Sequence, residues 1–309
     1  MTFELTVLGS SSALPTSVKF PTAQVLNVHE RFFLIDCGEG TQIQLRKAKI
    51  KFGRINHIFI SHLHGDHVFG LFGLISTFNL LGRKTVLHLY GHSDLQKIID
   101  FYLLQFAPNN LFPIEIHPVV KRKWQLVFED NALEIFAFPL KHRVPTFGYL
   151  FKEKTGSPNI RKDCIEKYNL TVKQIQDIKK GNDLVLNSGE TVQNENLTER
   201  PFKPRTYAYC SDTAVYEKIV PWIKDASLLY HEATFLNQDR KLAKETTHST
   251  ALQAATIASR AGAEKLLIGH FSSRYKNCEI LKDEARQVFP NTFIAEELQT
   301  YQVPLVRED

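Results

Sequence analysis

The sequence predicts an α/β fold of stacked layers, on two observations. Short apolar, β-branched runs alternate with stretches of helical periodicity, and the same rhythm of strands followed by helices occurs in each half of the chain. The first half opens with Phe3–Leu8, whose side chains alternate. Gln24–Val28 and Phe32–Ile35 follow as strands. The turn Asp36-Cys37-Gly38-Glu39-Gly40-Thr41 caps a helix beginning near Gln42. Ile55–Ile60 is a strand that delivers a polar, Gly-containing loop starting at Ser61, and Phe69–Leu81 is apolar enough for a buried helix. Val86–Tyr90 is the next strand. In the second half, Leu133–Phe138, Phe147–Phe151 and Thr206–Tyr209 are strands. Ser249–Ala261 is an Ala-rich helix ended by Gly262, and Lys265–Ile268 is the strand after it.

Composition sets the outer bounds. The 309 residues are 43% hydrophobic and 23% charged, an ordinary globular mix. A chain of this size buries about three quarters of the surface its unfolded form exposes, so it needs no disulfide staples. Cys37, Cys164, Cys210 and Cys278 form no CxxC pair and read as reduced thiols. Met1–Leu8 alternates like a first strand and lacks the basic start of a secretory leader. No apolar run approaches the roughly 20 residues of a membrane span. The expected location is the cytoplasm, away from membranes. The net charge of +5 does not by itself imply nucleic acid. Arg46, Lys47, Lys49, Lys51 and Arg54 form one basic cluster and Lys121–Lys123 a second; a single such cluster is better read as a solvated face.

One stretch breaks the rhythm. About fifty residues between the strands near Phe151 and Thr206 have little core character. Asp163–Lys180 suggests one or two short amphipathic helices, and Leu184–Val192 a hairpin. From Lys152 to Arg205 there are eleven Lys/Arg against eight Asp/Glu. A strand-to-strand connection of this length predicts a protruding insertion, about 152–205, on a single domain spanning 1–309.

The densest chemistry lies in Ser61-His62-Leu63-His64-Gly65-Asp66-His67. Four metal-capable side chains fall within six residues, and neutral imidazole with carboxylate suits a borderline divalent metal such as zinc. One His or one HxH pair would read as a surface loop; HxHxDH after a strand favours a metal site. Three further candidates sit just past strands: His142, Asp212 and His270. The seven residues together can fill two four-coordinate sites if Asp212 bridges. The other histidines, His29, His57, His88, His92, His117 and His231, read as structural.

These residues resemble the metallo-β-lactamase superfamily and, within it, the short-form ribonuclease Z (tRNase Z) family. His62–His67 matches the superfamily motif, and Pro139–His142, Ser211-Asp212-Thr213 and Gly269–Tyr275 match its later ligand motifs. More discriminating are His231-Glu232-Ala233-Thr234 and His248-Ser249-Thr250, a pair the superfamily's small-molecule hydrolases lack. Leu8–Thr16 and Ile35–Thr41 also resemble that family's opening. The insertion falls where the family carries a flexible tRNA-gripping arm, although the family's Gly-Pro element is replaced here by Asn169–Lys173.

The resemblance implies a metallo-β-lactamase αββα sandwich with a protruding arm. It implies a zinc-dependent endoribonuclease that removes the 3′ trailer from precursor tRNA, with two Zn²⁺ per chain and a homodimer as the working form. One metal takes His62, His64 and His142; the other takes Asp66, His67 and His270; Asp212 bridges. Asp66 also holds the attacking water. His248, oriented by Glu232, is the general acid. The same donors accept manganese, iron or cobalt. Thr16 and Arg274 fit either an RNA 3′-end channel or a capping and surface role. Two other readings remain at this point: a lactonase, thioesterase or arylsulfatase on the same fold, and a non-catalytic RNA-binding protein.

Overall fold

The computed structural model describes residues 1–199 and 202–307. Arg200 and Pro201, part of the predicted insertion, lie outside the described residues. The strands are β1 (Phe3–Gly9), β2 (Ala23–Val28), β3 (Arg31–Ile35), β4 (Ile55–Phe59), β5 (Leu87–Gly91), β6 (Ile114–Pro118), β7 (Gln125–Glu129), β8 (Leu133–Pro139), β9 (Phe147–Glu153), β10 (Asn159–Ile160), β11 (Leu184–Val185), β12 (Thr191–Val192), β13 (Thr198–Glu199), β14 (Thr206–Cys210), β15 (Leu228–Glu232), β16 (Leu266–Gly269), β17 (Thr292–Ile294) and β18 (Thr300–Gln302). The α-helices are α1 (Thr41–Lys47), α2 (Gly65–Val68), α3 (Gly70–Leu80), α4 (Leu95–Phe106), α5 (Lys162–Lys167), α6 (Val172–Lys179), α7 (Asn194–Leu197), α8 (Arg240–Thr246), α9 (Ala251–Ala261) and α10 (Glu279–Arg286).

Two seven-stranded sheets form the body, ordered β18-β1-β2-β3-β4-β5-β6 and β17-β16-β15-β14-β9-β8-β7. Each combines three antiparallel pairings with three parallel ones, the parallel set running over β3 to β6 in the first and β14 to β17 in the second. This is the repeated rhythm of the two halves. The sheets face each other across a buried apolar layer that includes Phe3, Phe33, Phe59, Tyr149, Phe151 and Tyr207. A second apolar layer lies between the first sheet and α1, α3 and α4; a third lies between the second sheet and α9 and α10. The architecture is the metallo-β-lactamase αββα sandwich. Each fully buried Phe or Leu in these layers contributes roughly 1.5–3 kcal/mol.

Several elements differ from the sequence expectation in bounds. The predicted helix Phe69–Leu81 is α3, Gly70–Leu80; the short α2 before it carries Asp66 and His67 at the start of the helical stretch, as expected, with His62 and His64 on the preceding loop. The predicted helix from Ser249 starts at Ala251: Thr250 caps it with Gln253 in a reciprocal box, which leaves His248 and Ser249 on a loop. Gly262, at φ 66°, ends it in the left-handed region.

The insertion is more structured than a plain loop. Its helices α5 and α6 and the hairpin β11–β12 appear where expected, and α7 and the β10–β13 pair are added. Contrary to its low apolar content, it builds its own small core from Ile160, Cys164, Ile178, Leu184 and Leu197. Asn169, at φ 49°, turns the chain between α5 and α6, and Thr171 caps α6. All four cysteines are free and buried. No helix among the described residues is long and apolar enough to cross a membrane.

Candidate metal centre

The site lies at the C-terminal ends of the parallel strands. β4 delivers His62, His64, Asp66 and His67; the turn after β8 delivers His142; β14 and β16 deliver Asp212 and His270 just past their ends. Asp212 and His270 leave their strands at φ 48° and 59°. These left-handed conformations are uncommon outside glycine, and Asp and His tolerate them better than most residues. The kinks mark both strand ends in the same way.

Two donor groups result. His62, His64, His142 and Asp212 converge in one, and Asp66, His67 and His270 in the other, with donor atoms within 4.8 Å of one another. Asp212 faces both. Its Oδ2 lies 3.5 Å from His62 Nε2 and 3.8 Å from His142 Nε2; its Oδ1 lies 3.2 Å from His67 Nε2 and 3.1 Å from His270 Nε2. Asp66 Oδ2 is 3.5 Å from His67 Nε2 and 3.6 Å from His270 Nε2, and it accepts the Ala13 backbone N–H at 2.9 Å.

The donor set fits divalent cations on a further observation. Among the described residues, His67, His142 and His270 each bury an Nε2 that makes no well-directed hydrogen bond, although Asp212 Oδ1 lies 3.2 and 3.1 Å from those of His67 and His270. Such orphaned polar atoms are costly unless something else satisfies them. Their Nδ1 atoms are all engaged. His67 Nδ1 donates to Asp36 at 2.7 Å, His142 Nδ1 to the Thr247 carbonyl at 3.0 Å, and His270 Nδ1 to the Thr234 hydroxyl at 2.9 Å. This fixes the tautomers so that the lone pairs point into the centre. Burial keeps His62, His64 and His142 below the ordinary imidazole range, in the neutral form a cation requires.

Beside the donors stands a second device. Glu232 is fully buried at the end of β15. Its Oε1 accepts the Thr213 backbone N–H and His248 Nδ1, both at 2.7 Å; its Oε2 accepts the Thr234 hydroxyl at 2.6 Å and the Ser249 backbone N–H at 3.1 Å. The His248 ring stacks on His270 with centroids 5.2 Å apart and lies 5.1 Å from His142. Asp212, His248 and His270 also bring donor atoms together, but His248 Nδ1 is committed to Glu232. Burial opposes charge on His248, yet the Glu232 carboxylate outweighs it and holds the pKa up at about 9.

Comparison with known proteins places this geometry. The family model described as Anti-Pycsar protein Apyc1 matches residues 3–108, about a third of the chain. Ribonuclease Z of Bacteroides fragilis is 48% identical over 295 residues, covering 96% of this chain and 97% of that one. The chain belongs to the ribonuclease Z family. Among solved structures, the short form of human tRNase Z matches at TM-score 0.72 and 28% identity, covering 97% of this chain and 99% of that one. The metallo-β-lactamase fold protein YhfI from Bacillus subtilis matches in fold at TM-score 0.69 and 18% identity, over 98% and 100% of the two chains.

Asp36 is the residue whose role in this ribonuclease Z family site the sequence did not reveal. Its carboxylate is buried, and it accepts from the Ser61 backbone N–H, the Ser61 hydroxyl, His67 Nδ1 and the Tyr209 hydroxyl. One group thereby fixes His67 directly and His62 through Ser61, whose oxygen lies 3.0 Å from His62 Nδ1. The signal available in the sequence was an Asp directly after an apolar strand and before Gly38. A Cβ on Gly38 would collide with the Asp66 carbonyl oxygen, so the turn can press against α2 only with glycine there. Thr16 accepts backbone N–H groups of its own turn, and Arg274 lies 3.6 Å from Asp239.

Proposed function

We propose that the chain is a divalent-metal-dependent endoribonuclease that removes the 3′ trailer from precursor tRNA, leaving a tRNA 3′-hydroxyl and a 5′-phosphate on the trailer. The observation that carries this reading is the Glu232–His248 pair standing over the two donor groups. The ribose 3′-oxygen is a poor leaving group unless protonated, and a carboxylate-held imidazole is suited to supply that proton.

On this reading His62, His64 and His142 would hold one cation and Asp66, His67 and His270 the other, with Asp212 shared between them. Two zinc ions suit these donors. When bound, such cations supply Lewis-acid charge to the phosphodiester and acidify water for attack. Asp66 orients the attacking water while the Ala13 N–H steadies its carboxylate. As the bond from phosphorus to the ribose 3′-oxygen breaks, His248 Nε2 gives its proton to that oxygen. Glu232 keeps Nδ1 protonated and stabilises the imidazolium before transfer.

A groove of about 850 Å³ runs up to His142 and is lined by Lys121, Arg122, Lys141, Arg143 and Lys218. Five cations beside the site favour an RNA strand over a small neutral substrate. The insertion, about 152–205, is assigned to gripping the tRNA body: Arg161, Lys162, Lys167, Lys173, Lys179 and Lys180 are all exposed on it. A homodimer is supported by Leu80, Leu81, Phe101, Leu104 and Phe106, which α3, α4 and the residue after α3 leave exposed. The unpaired buried cysteines fit a cytoplasmic, reducing setting.

The small-molecule hydrolase alternative is not favoured, since the match to ribonuclease Z relatives runs over 96% of the chain. The test is cleavage of a precursor tRNA carrying a 3′ trailer, beside a lactone and a nitrophenyl phosphodiester. A trailer released with a 5′-phosphate is expected. Turnover of the lactone alone would overturn the reading.

A further inference from the structure

A second group of metal-capable side chains lies outside the catalytic loops, along β5 and β6. His88 and Glu115 are paired directly across these parallel strands, and His117 pairs with Tyr90 one step further along the same face. His88 Nδ1 lies 3.1 Å from His117 Nε2 and 3.3 Å from Glu115 Oε2; His117 Nε2 lies 4.0 Å from the same carboxylate oxygen. We propose that His88, Glu115 and His117 form a further cation site that takes a borderline transition-metal ion such as zinc. The inference does not depend on the reading of the catalytic centre.

The spacing carries the proposal. Zinc–nitrogen and zinc–oxygen bonds of about 2.0–2.1 Å in a tetrahedron place neighbouring donors about 3.3 Å apart. Two of the three separations fall within about 0.2 Å of that edge, and the third needs only a small swing of the half-exposed Glu115 side chain. Without a cation, one His88 Nδ1 proton can be shared between His117 Nε2 at 3.1 Å and Glu115 Oε2 at 3.3 Å. A shared cation satisfies all three donors at once.

The rings are held for the task. His88 stacks on His57 with centroids 4.9 Å apart and planes 11° from parallel; His117 stacks on Tyr90 at 4.5 Å and 14°. His57 is itself fixed by Tyr90, whose hydroxyl lies 3.3 Å from its Nδ1. Ligand rings locked by packing lose little freedom on binding. Two imidazoles and one carboxylate select zinc, nickel or copper over calcium or magnesium. The Glu115 and His117 side chains are 54% and 40% exposed, so a cation has an entry path and an open position for water. The site joins β6, the edge strand of the first sheet, to β5, so a bound ion would fasten that edge. Glu115 and His117 are two residues apart on β6 and share a face; His88, from β5, joins them only through the β5–β6 register.

The full-length protein, stripped by a chelator, reloaded with Zn²⁺ and desalted, tests this by elemental analysis. Wild type should retain one zinc more per chain than His117→Ala, while both cleave precursor tRNA equally. Zinc should raise the thermal midpoint of wild type further than that of His117→Ala. Should His117→Ala fail to fold, Glu115→Gln changes a largely exposed side chain, and it should lose the same zinc with its circular dichroism unaltered. Equal zinc contents in wild type and a folded variant would overturn the proposal. So would loss of tRNA cleavage in parallel with the zinc, because the lost ion would then belong to the catalytic centre.

Discussion

His248 Nδ1 lies 2.7 Å from Glu232 Oε1, sixteen residues away, on a carboxylate that is fully buried and whose other oxygen is already occupied by Thr234 and Ser249. The carboxylate cannot rotate away, so the ring keeps one tautomer and one direction. His248→Ala should therefore retain metal and RNA binding while slowing precursor-tRNA cleavage by roughly 10²–10⁴-fold. With a nitrophenyl phosphodiester, whose leaving group needs no proton, the loss should shrink sharply. Equal losses on the two substrates would point to a structural role.

The same pair should set an alkaline limb. Burial lowers the His248 pKa and the Glu232 carboxylate raises it further, to about 9. A group raised in the folded state contributes stability that is fully present below the ordinary imidazole value of about 6.5 and is lost as pH rises through about 9. The acid form has the same sign, so tRNA cleavage should fall as pH rises. Cations bound at the neighbouring donors would repel the imidazolium and draw the limb below 9. Glu232→Gln should bring it lower still. A pH–rate profile on precursor tRNA checks this; a limb unmoved in Glu232→Gln would assign it to another group.

Asp212 presents one oxygen to each donor group, and its removal affects both. Asp212→Ala should nearly abolish activity and lower the metal content while leaving the circular dichroism of the fold largely unchanged. Elemental analysis of active wild-type protein should show about two transition-metal ions at the catalytic centre. Active protein free of transition metal would overturn the mechanism.

Asp36 acts one layer further out. Asp36→Asn would turn an amide N–H toward donors that now point at a carboxylate: His67 Nδ1, the Ser61 hydroxyl and the Tyr209 hydroxyl. Outer-shell losses of this kind weaken metal affinity by roughly 10–100-fold. Competition with a coloured chelator should show that drop, and excess metal should restore much of the activity. Failure of added metal to restore activity would place the damage in folding instead.

Local features made much of this legible before the structure. HxHxDH is contiguous, and His142, Asp212 and His270 each follow an apolar run, so their chemistry could be read from single positions. The missed strands have weaker marks. β6 includes Pro118, β17 has three residues, and β18 returns from the end of the chain to pair with β1, a contact no local window contains. Asp36 was hidden for a similar reason: its partners Ser61, His67 and Tyr209 lie on two other strands' ends and on α2. The His88–Glu115–His117 trio exists only once β5 and β6 are paired.

The insertion is closed at its base by a buried ion pair. Arg205 donates to Glu153 through Nε at 2.9 Å and Nη2 at 2.7 Å, and the backbone N–H of each residue meets the other at 3.0 and 2.9 Å. Arg205 also donates to the carbonyls of Met1 and Val303, which ties the root to both ends of the chain. With its own small core above this clamp, the insertion should be removable without opening the sandwich. Replacing residues 155–203 by a short Gly/Ser linker, with Glu153 and Arg205 kept, should leave the metal centre folded. It should raise KM on precursor tRNA strongly while sparing turnover of a nitrophenyl phosphodiester. Contacts to many tRNAs must be mainly to phosphates, so the wild-type affinity should fall steeply with salt and the deletion should flatten that slope. Breaking one partner of a buried pair costs about 3–5 kcal/mol, so Arg205→Ala should lower the thermal midpoint where the deletion does not. Unchanged tRNA affinity and salt slope after deletion would move the gripping surface elsewhere, to the cluster from Arg46 to Arg54, where Arg46 and Arg54 already lie over the rings of Phe52 and Phe32.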